Sequence, residues 1–384
     1  MQSNLPQFLT DEQAMIRDMA RGFAQRELRP HSAEWDRSAE FPTAAIRQMG
    51  ALGLMGVLVP EEYDGAGADY ISYALVMEEV AAGDAACSTV LTVNNSLCCT
   101  TILNYGTEEQ KQKFLRPIAR GDYHAGFALT EPQAGSDAAN LKTRAVRDGD
   151  DFVINGAKQF ISSGESGEFI LVFAVTDPDA GKKGISTFIV PCDTPGYSVT
   201  RKEEKLGQHA SDTCALSFED MRIPADCLLG EAGQGYKIAL SNLADGRIGI
   251  GAQAVGVARA AYDSALAYAK ERVTFDKPII EHQAVAFRLA DMATQVEVAR
   301  EMVHKAARMR DAELPCLKEA CMAKLFASEM CEKVCSDAIQ VHGGYGYVND
   351  FPAEQFWRDS RICKIYEGTS DVQRMVIARQ IAAE

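Results

Sequence analysis

Close to its C-terminus the chain reads Ile365-Tyr366-Glu367-Gly368-Thr369-Ser370-Asp371, one carboxylate between a tyrosine and a glycine, just before a Gly-Thr-Ser turn and a final helix. Where helical sequence meets a loop, a carboxylate can be held against apolar neighbours. Its pKa then rises, and it becomes a base toward a weakly acidic C–H. Alone, the stretch describes a solvated loop glutamate just as well; the strings upstream weigh against that.

The first of these is Phe127-Ala128-Leu129-Thr130-Glu131-Pro132-Gln133-Ala134-Gly135-Ser136-Asp137. A strand ends at Thr130, Pro132 turns the chain, and Gly135-Ser136 leave free amides and a hydroxyl suited to a polar ring edge or a phosphate. Phe160-Ile161-Ser162-Ser163-Gly164 puts an aromatic and a hydroxyl at another strand end, or is a core aromatic followed by a turn. Glu271-Arg272-Val273-Thr274-Phe275-Asp276-Lys277-Pro278, then Glu281-His282-Gln283, brings Arg272 close to a helix N-terminus. That suits a diphosphate, the alternative being a solvated interhelical loop. In Gln340-Val341-His342-Gly343-Gly344-Tyr345-Gly346-Tyr347 the three glycines exceed what a helix C-cap needs and permit close approach of a flat or phosphorylated ligand. Gly249-Ile250-Gly251-Ala252-Gln253-Ala254 satisfies a dinucleotide fingerprint as a string, but no strand precedes it. Tight helix packing explains it better.

These strings need elements to hold them. From Leu9 to about Arg120 the apolar period is helical, with predicted helices from Asp11, from Pro42, over Tyr70 to Ala81 and over Thr107 to Ile118. From about Tyr123 short apolar or alternating runs take over: Phe152 to Ile154, Phe169 to Val175, Ser186 to Val190 and Cys214 to Phe218. Turn pairs such as Asp148-Gly149 and Asn155-Gly156 punctuate them, so this stretch predicts a β domain. From about Gly235 long helices return: Ile248 to Arg272, Gln283 to Arg310, Pro315 to Val341 and Asp371 to Ala383. The predicted division is 1–122, 123–232 and 233–384, an α+β fold of helical, β and helical domains.

With 384 residues and 47% hydrophobic content the chain can bury a sizeable core. A net charge of −15 without a basic stripe argues against nucleic acid, and leaves any phosphorylated ligand to local arginines, amides and helix ends. The eleven cysteines show no Cys-x-x-Cys and the six histidines no His-x-x-x-His, so no metal site is predicted and the cysteines read as core residues of a reducing compartment. No stretch reads as a membrane span. The N-terminus lacks the layout of a secretion signal, so a cytoplasmic location is expected.

Taken in order, the four strings and the terminal Glu367 resemble the acyl-CoA dehydrogenase family over essentially the whole chain. The resemblance implies an N-terminal helical domain, a middle β-sandwich or barrel-like domain and a C-terminal four-helix bundle. It further implies a homotetramer, a dimer of dimers, with FAD at subunit interfaces. Carried over by position, Phe127, Leu129, Thr130 and Ser136 match flavin contacts, and Ser136 also a contact to the CoA portion. Phe160, Ile161 and Ser162 match the segment against the flavin ring, where many members carry tryptophan. Arg272, Phe275, Gln283 and Gln340, Val341, His342, Gly343 and Gly344 match contacts from a neighbouring subunit. Thr369, Ser370 and Asp371 match the turn over the cofactor. Asp245, Arg247, Tyr366 and Gly368 match the substrate site, with Arg247 as the CoA anchor.

Glu367 falls on the catalytic base; the position from which a minority of members supply it is Gly246 here. The implied reaction converts an acyl-CoA to a trans-2-enoyl-CoA, the Glu367 N–H and a ribityl hydroxyl stabilising charge on the thioester oxygen. Electrons pass to an electron-transfer flavoprotein. Thr89 to Leu97 and Asp245 to Ile250 look most like the short-chain, butyryl-CoA-type branch, with branched short or medium chains as alternatives. Related oxidases and a non-catalytic flavin-loaded scaffold are the rival readings.

Overall fold

The computed structural model describes residues 9–384, so the N-terminal reading of residues 1–6 lies outside the described part. Thr10 opens the first helix, Asp11–Phe23, through a reciprocal capping box with Gln13. Tyr70–Gly83 begins at Asp69, whose carboxylate accepts from the Ser72 N–H. The long C-terminal helices are Leu243–Glu271, Gln283–Asp311 and Leu317–His342, with a last helix at Ser370–Ala383. All four lie within a few residues of the predicted spans.

Eight strands form the middle domain: β1 (Ala125–Ala128), β2 (Arg144–Asp148), β3 (Asp151–Ser162), β4 (Phe169–Val175), β5 (Ile185–Pro191), β6 (Tyr197–Lys202), β7 (Thr213–Pro224) and β8 (Leu228–Leu229). Their order is β6-β7-β3-β2-β4-β5-β8, with β1 parallel to β4. β2 and β4 meet only at Arg144 and Val175, so the sheet folds there into two halves. Ile170 and Val172 pack between the halves with Ile154, Leu216 and Phe188. Phe169, Leu171 and Phe173 face the opposite way, against Phe114, Leu115 and Ile118 of the N-terminal helices. Successive strand residues point to opposite faces, and both faces of β4 are covered, which is why its sequence is uniformly apolar.

The N- and C-terminal helices share one core. Val76, Met77 and Val80 pack with Val255, Ala258, Met292 and Ala327 in a single cluster. A Cβ on Gly256 would lie 2.2 Å from the Glu78 carbonyl, and one on Gly249 would lie 2.4 Å from the Tyr73 hydroxyl. The string Gly249 to Ala254 is therefore a helix-packing face. Inside this core Glu78 accepts both arms of Arg300 at 2.9 Å and faces Arg259 at 2.8 Å, while Glu79 pairs with Arg259 and Arg21, each at 2.7 Å. Against the cost of burial, Arg300 and Arg259 hold the Glu78 carboxyl far below its ordinary range.

Ala85–Tyr105 is a continuous helical run, long and apolar enough to cross a membrane, yet 94% of its apolar window is buried inside the fold. Thr, Ser and Asn along it mask the run in the sequence. Its π-helical turn, Val93–Cys99, lets Asn94 bond the Met55 carbonyl at 2.8 Å and Asn95 the Leu54 carbonyl at 2.9 Å. All cysteines except Cys192 and Cys227 are buried, and none is paired.

Candidate active site

Glu367 lies between a short 3-10 turn, Arg361–Lys364, and the last helix. Its φ is 54° and that of Gly368 is 85°, two consecutive left-handed residues. A non-glycine residue held there is strained, and such strain gathers at functional sites. Thr369 then caps the last helix by accepting from the Val372 N–H. The carbonyls of the turn are held from below: Gln373 Nε2 donates to the Glu367 carbonyl at 3.1 Å and the Gly368 carbonyl at 2.8 Å, and Lys324 Nζ donates to Gly368 at 2.8 Å. The Glu367 N–H has no hydrogen-bond acceptor among the described residues.

The carboxylate projects over the start of the Leu243–Glu271 helix, where a Cβ on Gly246 would come 2.9 Å from Oε2. Burial raises the Glu367 pKa, and the cations of Arg247 and Lys324 oppose that rise without cancelling it. Arg247 is only 2% exposed; its Nη1 lies 3.1 Å from Cys321 Sγ and its Nε has no partner among the described residues. The guanidinium that the resemblance gives as the CoA anchor is thus enclosed beside Glu367. Asp245 is likewise turned inward, bonded to Arg310 at 2.7 Å and the Tyr70 hydroxyl at 2.9 Å. The Tyr366 hydroxyl donates to Gln253 Oε1, and Thr89 links that group to Gln208 at 2.5 Å.

The string after β1 is fastened by an ion pair that the sequence reading left without a role. Glu131 Oε1 accepts from Lys158 Nζ at 2.8 Å, and the carboxylate also receives the N–H groups of Lys142 and Thr143 at 2.7 and 3.1 Å. Lys158 reaches the Leu129 carbonyl at 3.1 Å, and the Gln159 N–H donates to the Thr130 carbonyl at 2.9 Å. Burial pulls the Lys158 ammonium down to about 8. Burial would raise the Glu131 carboxyl, but Lys158 and the amide donors bring it to about 2. Around this pair, Phe127 packs on Phe173 with ring centres 4.7 Å apart, and Leu129 and Thr130 are half-buried. Ser136 is exposed.

Phe160 stands 64% exposed at φ 58°, an aromatic held outward from β3 by a strained backbone. Ser162 is half-buried. Ile161 points the other way, into the core between the sheet halves, so a ligand could meet only its backbone. Ser370 is buried with no partner for its hydroxyl among the described residues, and Asp371 is exposed beside Arg374.

A second group lies apart. Arg272, Val341, His342, Gly343 and Gly344 line a surface pocket of about 590 Å³, to which none of the residues around Glu367 contributes. Added Cβ atoms on Gly343 and Gly344 would meet nothing within 4 Å, so backbone is bare there. Burial lowers the His342 pKa, and its ring stacks on Tyr268 at 4.6 Å. Phe275 is 90% exposed at φ 51° on the tip of the hairpin between Val273–Thr274 and Lys277–Pro278. Gln283 and Gln340 are exposed.

Lys324, Gln373, Glu131 and Lys158 were missed as site residues. For Lys324 a signal existed: its spacing with Ala320, Ala327 and Cys331 places it on a stripe whose other members are all buried.

The family model for the acyl-CoA dehydrogenase N-terminal domain matches residues 10–122, that for the middle domain 126–221 and that for the C-terminal domain 233–382. The mitochondrial short-chain specific acyl-CoA dehydrogenase of Bos taurus is 48% identical over 370 residues, covering 96% of this chain and 90% of that protein. The solved butyryl-CoA dehydrogenase of Megasphaera elsdenii superposes with a TM-score of 0.96 at 40% identity, covering 98% of this chain and 100% of that one. A chain from structural work on the electron transferring flavoprotein of Acidaminococcus fermentans and flavin-based electron bifurcation matches at TM-score 0.97 and 44% identity, over 99% and 100% of the two chains. With all three domains matched in order and a half-buried carboxylate at the mouth of the last helix, this chain belongs to the acyl-CoA dehydrogenase family.

Proposed function

We propose that this chain dehydrogenates a short-chain acyl-CoA to the trans-2-enoyl-CoA, with FAD as cofactor and Glu367 as base. The observation that carries this reading is the strained Glu367–Gly368 turn: a carboxyl with a raised pKa beside an N–H that is free to donate. Glu367 takes the proton from the carbon next to the thioester carbonyl. Its N–H donates to the thioester oxygen as negative charge builds there. FAD supplies the acceptor for the hydride from the adjacent carbon.

The chain fits that cofactor. Phe160 presents an exposed ring, bare backbone lies open at Gly135, Gly343 and Gly344, and the Ser370 hydroxyl is an unmet buried group. In this reading Phe127, Leu129, Thr130, Ser136, Phe160, Ser162 and Thr369 to Asp371 hold FAD within one subunit, with Ile161 through its backbone. Arg272, Phe275, Gln283 and Gln340 to Gly344 serve a neighbouring subunit in a homotetramer, which accounts for their separate pocket and for the bare Phe275. Arg247 acts on the charge of Glu367 and does not anchor CoA, because it is enclosed. An electron-transfer flavoprotein is the electron acceptor, and the unpaired cysteines suit the cytoplasm.

A short acyl chain is favoured by the Leu243–Glu271 helix itself. Gly246 faces Glu367, but one turn on, Gly249 faces the hydroxyls of Tyr73 and Thr92, which already fill the space. Each methylene there is worth only about 1–3 kcal/mol, so neighbouring lengths react more slowly and are not rejected outright.

The test is an anaerobic titration of purified protein with acyl-CoAs of graded length and branching, following the visible flavin band. Bleaching that is strongest for chains of about four to six carbons is expected. A yellow protein that none of them bleaches would overturn the reading.

Two further outcomes are expected. Because Glu367 must be a carboxylate to act and its pKa lies above 4.5, kcat/KM falls as pH drops through a limb above that value; a flat profile down to pH 4.5 contradicts the assignment. Lys158→Met leaves the Glu131 charge buried and unpaired, a loss of about 3–5 kcal/mol that loosens the Leu129–Ser136 segment. The FAD-to-protein ratio after gel filtration should drop well below that of the parent.

A further inference from the structure

We propose that Lys324 is a positioning residue for the base: together with Gln373 it clamps the Glu367–Gly368 turn by its carbonyls while its cation faces the Glu367 carboxylate. The inference rests on Glu367 being the base and adds a second function for a lysine distant in sequence.

Both clamping side chains are wholly enclosed, Lys324 and Gln373 each at 0% exposure. They come from different helices, Leu317–His342 and Ser370–Ala383, and converge on the same two peptide groups. Gln373 divides its amide between the Glu367 and Gly368 carbonyls, and Lys324 places its ammonium 2.8 Å from the latter. A left-handed glutamate does not persist unless its surroundings over-determine it. These three hydrogen bonds do that, fixing the peptide planes that follow the base and so the direction of its side chain and N–H. No other acceptor among the described residues binds the Lys324 ammonium, so a buried cation is committed to this one turn.

Its charge matters as well. Burial brings the Lys324 pKa down to about 8, with Glu367 and Cys363 favouring the charged form and Arg247 opposing it; Cys321 also faces it. Glu367 in turn faces Arg247 and Lys324, with the Tyr73 phenol beyond. A cation beside a carboxylate favours its ionised form, so Lys324 restrains the rise in the Glu367 pKa that burial imposes. Removing that cation must move the acid limb of kcat/KM to higher pH.

The experiment compares the FAD-loaded parent with Lys324→Met, Lys324→Arg, Gln373→Leu and Glu367→Gln. Lys324→Met should lower the plateau kcat by about tenfold or more, leave KM within about threefold, and raise the acid limb by about half a pH unit or more. Lys324→Arg keeps a cation and should leave the limb near its parental position. Gln373→Leu removes a clamp but no charge, so kcat falls while the limb stays. A purely structural role for Lys324 would change melting temperature and yield without moving the limb. An unmoved limb in Lys324→Met, or a plateau kcat within twofold of the parent, overturns the inference. If Lys324→Met does not fold, parental kcat in Gln373→Leu overturns it. Turnover in Glu367→Gln would instead sink the assignment of the base, which separates the two failures.

Discussion

Glu367→Gln should abolish nearly all turnover, a loss on the order of 10⁴-fold, at the upper end of what a positioned general base contributes. The amide is nearly isosteric, so the left-handed turn, the free N–H and the clamp from Gln373 and Lys324 remain. Removing a carboxylate also removes the group that burial disfavours, so the variant should melt no lower than the parent. The acyl-CoA should therefore still bind, seen as a perturbed flavin spectrum without bleaching. Turnover within tenfold of the parent would show that another group takes the proton. Gly246 sits against the same carboxylate oxygen, so a glutamate there would enter the same space from the opposite side. The two base positions known from the resemblance thus converge on one location.

The second large effect concerns stability. Glu78→Ala removes the carboxylate that balances Arg300 and Arg259 in the shared helical core, leaving two largely buried guanidinia with Glu79, Glu297 and Asp263 as the remaining carboxylates near them. Breaking a buried pair by deleting one partner costs about 3–5 kcal/mol, because the remaining charge has lost its solvation and its counter-ion. Glu78 is tied to Gln283–Asp311 through Arg300 and to Leu243–Glu271 through Arg259, so the loss should loosen the N-terminal helices from the C-terminal ones. A melting temperature lowered by several degrees, with FAD released at lower temperature than from the parent, is the expected result. A variant that melts with the parent would show that the core tolerates the unpaired arginines.

Glu367 and the strings at Phe127, Phe160, Arg272 and Gln340 were legible because their information is local. A carboxylate ahead of Gly-Thr-Ser, or glycines after a helix, states its turn chemistry within a few residues. The helices of the C-terminal half were legible for a similar reason, as their period repeats over many turns. Ala85–Tyr105 was not, because a helix enclosed on all sides has no polar face to mark its period. The burial of Arg247 was not legible for a related reason: sequence shows a charged residue at a helix start, and only packing shows whether that start faces solvent or a carboxylate.

Composition and pattern were enough to establish the succession of helical, β and helical regions and to single out the terminal carboxylate. Tertiary structure alone decided which charges were enclosed with it. Lys324 lies 43 residues from Glu367 in the chain yet stands under its turn, and Lys158 lies 27 residues from the Glu131 it balances. Such partners are chosen by how helices and strands pack. Desolvation, which gives these charges their influence, exists only after the chain has closed around them.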